Sequence, residues 1–279
     1  MNPWVKLLRP ENALMAIIAT FISGLISLGT GVLSMWFILS LASLSVILVM
    51  LGGNAMNDLF DIENDKINHP NRPLVTGKIS INSAKTAIII SFIASTLVAL
   101  IFISYISGLI VILAELLLFS YEYTLKRSGL PGNIVISVLV GLIFIFGGIA
   151  VDHFYRMIIL FFLATFSNIS RELIKDVEDM NGDFDRLTFP KRYGRKTTLM
   201  LSSVFIVTAV ILSFVPYFIG LFSIYYLIPL TFCDILFIVT AVIQFKSVTM
   251  AQKSSKISMI LGLVSFAVGG LTLVFMKIF

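Results

Sequence analysis

The chain has 279 residues and a formal net charge of +5 at pH 7; 58% of its residues are hydrophobic and 13% are charged. A soluble domain of this length would carry about twice that share of charge, so the composition excludes a soluble globular protein. The positive balance is typical of loops on one side of a membrane rather than of nucleic-acid binding, and the single cysteine, Cys233, excludes an internal disulfide.

Nine apolar segments are each long enough to cross a bilayer, for which roughly 20 mostly apolar residues are needed. Their approximate limits are 13–29, 35–56, 84–104, 107–123, 133–151, 155–175, 198–216, 221–245 and 256–276. Lys6 and Arg9 precede the first segment as in a signal peptide, but no small-residue cleavage site follows, which predicts a retained helix. We therefore expect one all-α transmembrane domain over residues 1–279.

The basic residues are distributed asymmetrically between the predicted loops. Of the 20 Lys and Arg residues, all except Arg156 and Lys277 lie in the N-terminal segment or in and beside the loops after segments two, four, six and eight. Lys and Arg accumulate in cytoplasmic loops, so the N-terminus is predicted to be cytoplasmic and the C-terminus outside, in the plasma membrane. Two of the cytoplasmic loops, about 57–83 and 176–197, are long and rich in charge, and we expect the chemistry there.

The first of these loops opens with polar residues at helical spacing. Asn54, Asp58, Asp61 and Asp65 follow one another at intervals of four, three and four residues. At about 100° per residue, all four fall within roughly 60° of one helix face. Taken alone, such a run is also typical of a solvated helix end.

The second long loop opens with the same spacing. Glu172, Asp176, Asp179 and Asp183 repeat the intervals of four, three and four residues. Four predicted segments separate the two sets, and because four is an even number both sets should lie on the same side of the membrane. This repetition in matching places favours a shared function over two unrelated helix ends.

The acidic residues of the two sets predict a magnesium site. Carboxylates on one helix face repel each other, and a cation between them offsets that cost. Mg²⁺ prefers oxygen ligands and is held by one or two carboxylates together with substrate phosphates. We therefore predict that the two sets face each other across a cavity and clamp Mg²⁺ on a diphosphate, with all eight residues as candidate metal ligands. Asp58 and Asp176 are expected to meet water and metal rather than the packed core.

Several cations lie near the two sets in the sequence. Arg72, Lys126 and Lys175 could stabilise a diphosphate leaving group, although each could equally be an ordinary cytoplasmic-side cation. A second anion, such as an acceptor phosphate, would need further cations. The candidates, each of which could instead contact anionic lipid, are Lys6, Arg9, Lys191, Arg192, Arg195 and Lys196.

Three acids are predicted inside the membrane segments. Glu122 lies near the cytoplasmic end of segment four, and we expect it beside the substrate cavity. Glu115 and Asp234 lie deeper and are interpreted as structural polar contacts. His69 is expected to be an ordinary exposed histidine.

The two acidic sets resemble the aspartate-rich motifs of the UbiA superfamily of intramembrane prenyltransferases. The matching strings are Asn57-Asp58-x-x-Asp61-x-x-x-Asp65 and Asp176-x-x-Asp179-x-x-x-Asp183. The resemblance covers the whole chain and implies two pseudo-repeated four-helix halves with a ninth helix appended. Within that family, the string from Arg171 to Asp179 is similar to that of the archaeal digeranylgeranylglyceryl phosphate synthases.

This resemblance implies a reaction and a set of site residues. The implied donor is geranylgeranyl diphosphate, the implied acceptor is the lipid geranylgeranylglyceryl phosphate, and the cofactor is Mg²⁺, with no nucleic acid and no obligatory protein partner. Catalytic roles are implied for Asp58, Asp61, Lys126, Asp176 and Asp179. Substrate contacts are implied for Asn57, Arg72, Tyr121, Lys126, Asn133, Arg171 and Lys175.

Three other functions are compatible with parts of the sequence pattern. Transfer to an aromatic ring, as in quinone or haem biosynthesis, is the runner-up. A cation-coupled transporter is less favoured because transporter sites normally lie near the bilayer midplane, whereas these acids lie at the predicted cytoplasmic edge. A CDP-alcohol phosphotransferase is also membranous and Mg²⁺-dependent, but its Asp-Gly…Ala-Arg…Gly…Asp…Asp string is not found in the sequence.

Overall fold

The computed structural model describes residues 2–182 and 187–276, in which every regular element is helical. The α-helices are α1 (Pro3–Leu8), α2 (Pro10–Leu28), α3 (Trp36–Phe60), α4 (Ile62–Asn68), α5 (Ile81–Leu97), α6 (Tyr105–Tyr123), α7 (Leu130–Ile149), α8 (Met157–Asp179), α9 (Phe189–Tyr193), α10 (Arg195–Ser213), α11 (Val215–Phe218), α12 (Leu227–Ile243) and α13 (Val248–Met276). Short 3₁₀ turns occupy Gly29–Met35, Leu125–Arg127 and Ile224–Tyr226, and a π-helical turn, Val98–Ile103, continues α5.

Eight segments among the described residues are long and apolar enough to cross a membrane. The first, Pro10–Phe60, has 51 residues and contains both α2 and α3, which are joined by the turn at Gly29–Met35. The multispanning all-α architecture expected from the sequence is therefore confirmed, and the predicted count of about nine corresponds to these eight segments with the first one divided.

The outward faces of these helices are apolar. On α5, for example, Ile89, Ile90 and Ile93 are each at least 57% exposed. Exposed aliphatic side chains would be unfavourable in water but are compatible with lipid, which is as apolar as they are. The outer surface thus supports the membrane location that the composition predicts.

The helices pack as two groups around a central pair. Helices α3, α5 and α6 pack together, as do α8, α10 and α12, and α2 and α7 join the two groups. The close approach of α2 and α7 requires Gly147, because a Cβ atom there would lie 2.8 Å from the Cβ of Ser23. The last helix, α13, packs against α12, α8 and also α2. It therefore closes the bundle, which makes it more than the appendage that the sequence suggested.

Candidate active site

The helices enclose a cavity of about 540 Å³ with one charged end. Arg9, Asn57, Arg72, Glu172 and Lys175 are among the residues that line the charged end. The apolar interior includes Met15, Val46, Ile110, Phe144, Leu163 and Leu230. A cavity of this composition can hold a molecule with an anionic head and a long apolar tail.

The residues of the first motif occupy the end of α3 and the start of α4. The helix is interrupted at Asp61, where φ is −99° and ψ is 9°, so the four residues do not lie on one continuous helix as predicted. Hydrogen bonds still cross the junction, since Asp65 N donates to Asp61 O at 2.7 Å. Asp58, Asp61 and Asp65 are only 2%, 7% and 3% exposed. The expectation that Asp58 meets water is therefore wrong, because Arg9 and Arg72 cover its carboxylate.

Two arginines neutralise Asp58. Its Oδ1 lies 2.9 Å from Arg9 Nη2 and 3.0 Å from Arg72 Nη1. Arg72 Nη1 also contacts Asp65 Oδ2 at 2.5 Å. Arg9 adopts a left-handed conformation with φ of 56° where α1 meets α2, which turns the chain so that α1 lies against α3. A cation from the N-terminal segment thus reaches the first motif.

Burial perturbs the carboxyl group of Asp65. It raises the pKa of Asp65 to about 6; the neighbouring Asp61 and Asp58 add to this shift, and the Arg72 guanidinium opposes it. A carboxyl group whose pKa is raised is more difficult to ionise in place. A bound cation beside it would favour ionisation.

Lys126 lies in a buried network on the other side of Asp61. Its Nζ lies 2.7 Å from Asp61 Oδ2 and 2.7 Å from Glu122 Oε2, and 5.5 Å from the centre of the Tyr121 ring. Asn57 Nδ2 donates to Glu122 Oε1 at 2.8 Å. The structure therefore brings Lys126 together with the first motif and places Glu122 in the wall of the cavity, where the sequence predicted it.

The second motif lies on the last turns of α8. Glu172 is buried, with Arg171 Nη1 at 3.4 Å and Lys175 Nζ at 3.7 Å from its carboxylate. Asn133 Nδ2 donates to Asp176 Oδ2 at 2.8 Å, which joins the start of α7 to this motif. Arg171, Glu172 and Lys175 all line the cavity.

The second motif does not continue along the helix as far as predicted. Helix α8 ends at Asp179, and residues 180–182 form a turn. Asp183, the last of the predicted ligands, lies outside the described residues. The described helix therefore presents Glu172, Asp176 and Asp179 in register.

The loop after α4 joins the two motifs. Asn68 Nδ2 donates to the carbonyl oxygen of Asp179 at 3.4 Å, and His69 Nε2 lies 3.8 Å from Asp179 Oδ1. Burial and then the Arg72 guanidinium lower the pKa of His69, which favours the neutral imidazole. His69 lines the cavity, so the expectation of an ordinary exposed histidine is wrong.

The oxygen donors suit a hard divalent cation, although they are not gathered as a finished cluster. Within residues 2–182 and 187–276, no three His, Cys, Asp or Glu side chains form a group that could hold a metal ion. The acids of the first motif instead contact Arg9, Arg72 and Lys126. Mg²⁺ needs only one or two protein carboxylates when substrate phosphates complete its coordination. The site therefore fits a metal that arrives together with a diphosphate.

The deeper acids of the membrane segments differ in their surroundings. Glu115 accepts hydrogen bonds from Ser95 at 2.6 Å and Thr96 at 3.1 Å, which is the structural contact expected for it. Asp234 accepts a hydrogen bond from Ser213 at 2.9 Å and also lines the cavity.

Besides Asp234, two ionisable residues of the cavity wall, His69 and Lys256, were not assigned a site role from the sequence. His69 follows the first motif, but nothing in its spacing indicated a contact with Asp179. Lys256 on α13 was attributed to the cytoplasmic charge excess. Both line the cavity because helices that are distant in sequence pack together there. A local sequence pattern does not predict contacts between distant helices.

Comparison with known proteins assigns the family. Residues 14–274 match the UbiA prenyltransferase family. The chain is 38% identical to a digeranylgeranylglyceryl phosphate synthase of Methanosphaera stadtmanae, over 97% of this chain and 100% of the relative. A solved digeranylgeranylglyceryl phosphate synthase structure superimposes with a TM-score of 0.77 at 36% identity, covering 97% of this chain and 98% of that one.

A more distant structure shares the fold. A UbiA homologue from Archaeoglobus fulgidus, solved bound to GPP and Mg²⁺, has a TM-score of 0.60 at 18% identity, covering 97% of this chain and 99% of that one. The family match extends over nearly the whole chain, and the closely similar relatives match from end to end. The chain belongs to the UbiA prenyltransferase family.

Proposed function

We propose that the protein transfers a geranylgeranyl group from geranylgeranyl diphosphate to the free hydroxyl of geranylgeranylglyceryl phosphate and releases diphosphate, as a step of archaeal ether-lipid biosynthesis. The observation that carries this proposal is the end-to-end similarity, at 38% identity, to an enzyme named for that product. The cavity supports it, because a charged end leads into an apolar interior as an isoprenoid diphosphate requires.

Mg²⁺ is the cofactor that we assign to this reaction. The proposed ligands include two residues of the cavity wall, Asn54 and Glu172. The other proposed ligands are the carboxylates of Asp58, Asp61, Asp65, Asp176 and Asp179. When bound, Mg²⁺ would neutralise the charge that develops on the departing diphosphate. The three carboxylates of Asp58, Asp61 and Asp65 within eight residues support this assignment, as does the Mg²⁺ bound with GPP in the Archaeoglobus fulgidus homologue.

The chain's own cations hold the diphosphate. Arg72, Lys126 and Lys175 lie at or beside the charged end of the cavity, where they can donate charge-assisted hydrogen bonds to the leaving group. Lys126 is held in place by Asp61 and Glu122. A cation fixed before the substrate arrives loses little by reorganisation when the C1–oxygen bond breaks.

The apolar walls protect the reacting carbon. As the bond to the diphosphate breaks, C1 of the donor acquires allylic cation character, and water would consume it. Side chains such as Met15, Ile110 and Phe144 surround the chain and exclude water. The acceptor oxygen then forms the ether bond to C1, and its proton passes to a carboxylate or to an oxygen of the leaving diphosphate.

Activity of the purified protein tests this function and its metal. With labelled geranylgeranyl diphosphate limiting, geranylgeranylglyceryl phosphate and 4-hydroxybenzoate are offered together in Mg²⁺ buffer. We expect the doubly alkylated glycerol phosphate as the main product, loss of activity in EDTA, and recovery on addition of Mg²⁺. Prenylated hydroxybenzoate as the main product would assign the enzyme to the aromatic branch, and full turnover without a divalent metal would refute the metal site.

We also propose a plasma-membrane location with the charged end of the cavity facing the cytoplasm. The distribution of Lys and Arg supports this orientation, because all but two of them lie in the N-terminal segment or in and beside the loops on the same side of the membrane as the two motifs. The N-terminus would then be cytoplasmic and the C-terminus outside. In this orientation the diphosphate would enter the cavity from the cytoplasmic side, and the isoprenoid chain would lie in the cavity at the depth of the bilayer.

A further inference from the structure

A groove on the membrane side of the bundle adjoins the central cavity. It has a volume of about 310 Å³ and lies between α2 and α13, with Leu14, Ile18, Ile260 and Val264 among its walls. Met15, Lys256 and Leu263 line both the groove and the central cavity. The groove and the central cavity therefore adjoin each other at these three residues.

Lys256 stands out among the cations that line the cavity. The other four, Arg9, Arg72, Arg171 and Lys175, each lie within 4 Å of an acid of one of the two motifs. The ammonium of Lys256 instead contacts the carboxylate of Glu11, which belongs to neither motif. Its positive charge therefore does not pair with the proposed metal-binding acids.

The contact between Lys256 and Glu11 is one that an incoming anion can replace. The side chain of Lys256 is 29% exposed and that of Glu11 is 78% exposed. Exposed ion pairs contribute little to stability because water screens them. A phosphate, which carries more charge than a carboxylate and offers more oxygens, would compete well for the ammonium.

The position of Lys256 along α13 is fixed relative to the second motif. One turn before it, Gln252 Nε2 donates to the carbonyl oxygen of Arg171 at 2.9 Å. Glu11 lies at the beginning of α2, next to Arg9, which contacts Asp58. Lys256 therefore lies at the junction of the groove with the charged end.

We propose that Lys256 binds the phosphate of the acceptor lipid while the acceptor's isoprenoid chain lies in the groove between α2 and α13. This assignment rests on the proposed function. A glycerol that carries a phosphate and one ether has a single free hydroxyl, within two carbons of the phosphate. Holding the phosphate at Lys256 therefore directs this hydroxyl toward the charged end, and the phosphate displaces the Glu11 carboxylate from the ammonium. Lys256 is thus a positioning residue.

Acceptor kinetics of substituted proteins test this role. We expect Lys256→Met to raise the KM for geranylgeranylglyceryl phosphate by about tenfold or more, the usual cost of losing a charged hydrogen bond. The KM for geranylgeranyl diphosphate and the kcat at saturating acceptor should stay near wild type. Lys256→Arg should retain most of the affinity, and Glu11→Gln should lower the acceptor KM because a competitor is removed.

A matched control and a neutral acceptor separate charge from packing. Lys253 is exposed on the same helix and does not line the cavity, so Lys253→Met should leave both KM values unchanged. Geranylgeranylglycerol, which lacks the phosphate, should be used equally by the wild type and Lys256→Met. An unchanged acceptor KM, or an equal loss with both acceptors, would overturn the role of Lys256. A wild-type protein that prenylates no glycerol phosphate would refute the proposed function and this role with it.

Discussion

At the scale of single residues, the acids of the two motifs differ in their burial and in the side chains that contact them. Asp58 and Asp65 of the first motif are buried and paired with arginines, whereas Asp176 of the second is only partly buried and accepts a hydrogen bond from Asn133. Removing a charge from the first motif therefore disturbs both stability and function. The second motif offers a cleaner test of function.

The proposed metal role of the second motif predicts the effect of Asp176→Asn. We expect activity to fall by about 10²-fold or more, because a proposed ligand of the Mg²⁺ that would neutralise the departing diphosphate is lost, while the melting temperature changes little. Glu178→Gln is the matched control, since Glu178 is exposed two residues away on the same helix. Radiometric product assays and thermal melts in detergent measure both, and full activity of Asp176→Asn would contradict the proposed ligand set.

The Lys126 network predicts a cost in stability as well as activity. Lys126→Met would leave the buried carboxylates of Asp61 and Glu122 without their cation, at a cost of about 3–5 kcal/mol in the free energy of unfolding. The double change Lys126→Met with Glu122→Gln should lose less stability than the two single changes together, because one unpaired charge is removed. Additive losses in thermal melts would show that the two residues are not coupled.

At the scale of secondary structure elements, short connections position the charged side chains. The 3₁₀ turn Leu125–Arg127 folds directly against the start of α7, where Gly132 approaches it. This contact fixes Lys126 on the turn relative to Asn133 on the helix. Together they link the network around Asp61 to Asp176.

This close approach predicts the effect of Gly132→Ala. The new Cβ would lie 2.6 Å from the carbonyl oxygen of Leu125, so the turn must shift, at a cost of about 1–3 kcal/mol. We expect a lower melting temperature and a lower kcat because Lys126 and Asn133 move. Gly31→Ala is the control, since its Cβ would make an ordinary 3.5 Å contact with Leu28. Equal behaviour of the two variants would exclude a positioning role for Gly132.

At the scale of the whole molecule, the charge distribution predicts the orientation in the membrane. Cysteines placed at Lys78 and at Tyr155, both of which are exposed, should be labelled differently by an impermeant maleimide. We expect the Tyr155→Cys site to react in intact cells and the Lys78→Cys site only after permeabilisation. The native Cys233 is buried, so background labelling should be low. The reverse pattern would contradict the cytoplasmic placement of the active site.

The sequence by itself determined the class of the protein, the repeated acidic motifs and the family. Composition and segment length determine a helical membrane bundle, because the bilayer leaves the backbone few alternatives. The spacing in each motif is a local property of a helix, so Asp58, Asp176 and Asp179 could be identified by periodicity. The continuous helix predicted for each motif is interrupted at Asp61 in the first motif, and in the second motif α8 ends at Asp179.

Only the tertiary structure decided which distant residues complete the site. Arg9, His69 and Lys256 come from the N-terminal segment, a loop and the last helix, and they meet the motifs through packing over long sequence separations. The burial of the first motif was also decided in three dimensions, by the arginines and the loop that cover it. Periodicity describes one helix at a time, whereas ion pairs and cavity walls depend on how separate helices pack.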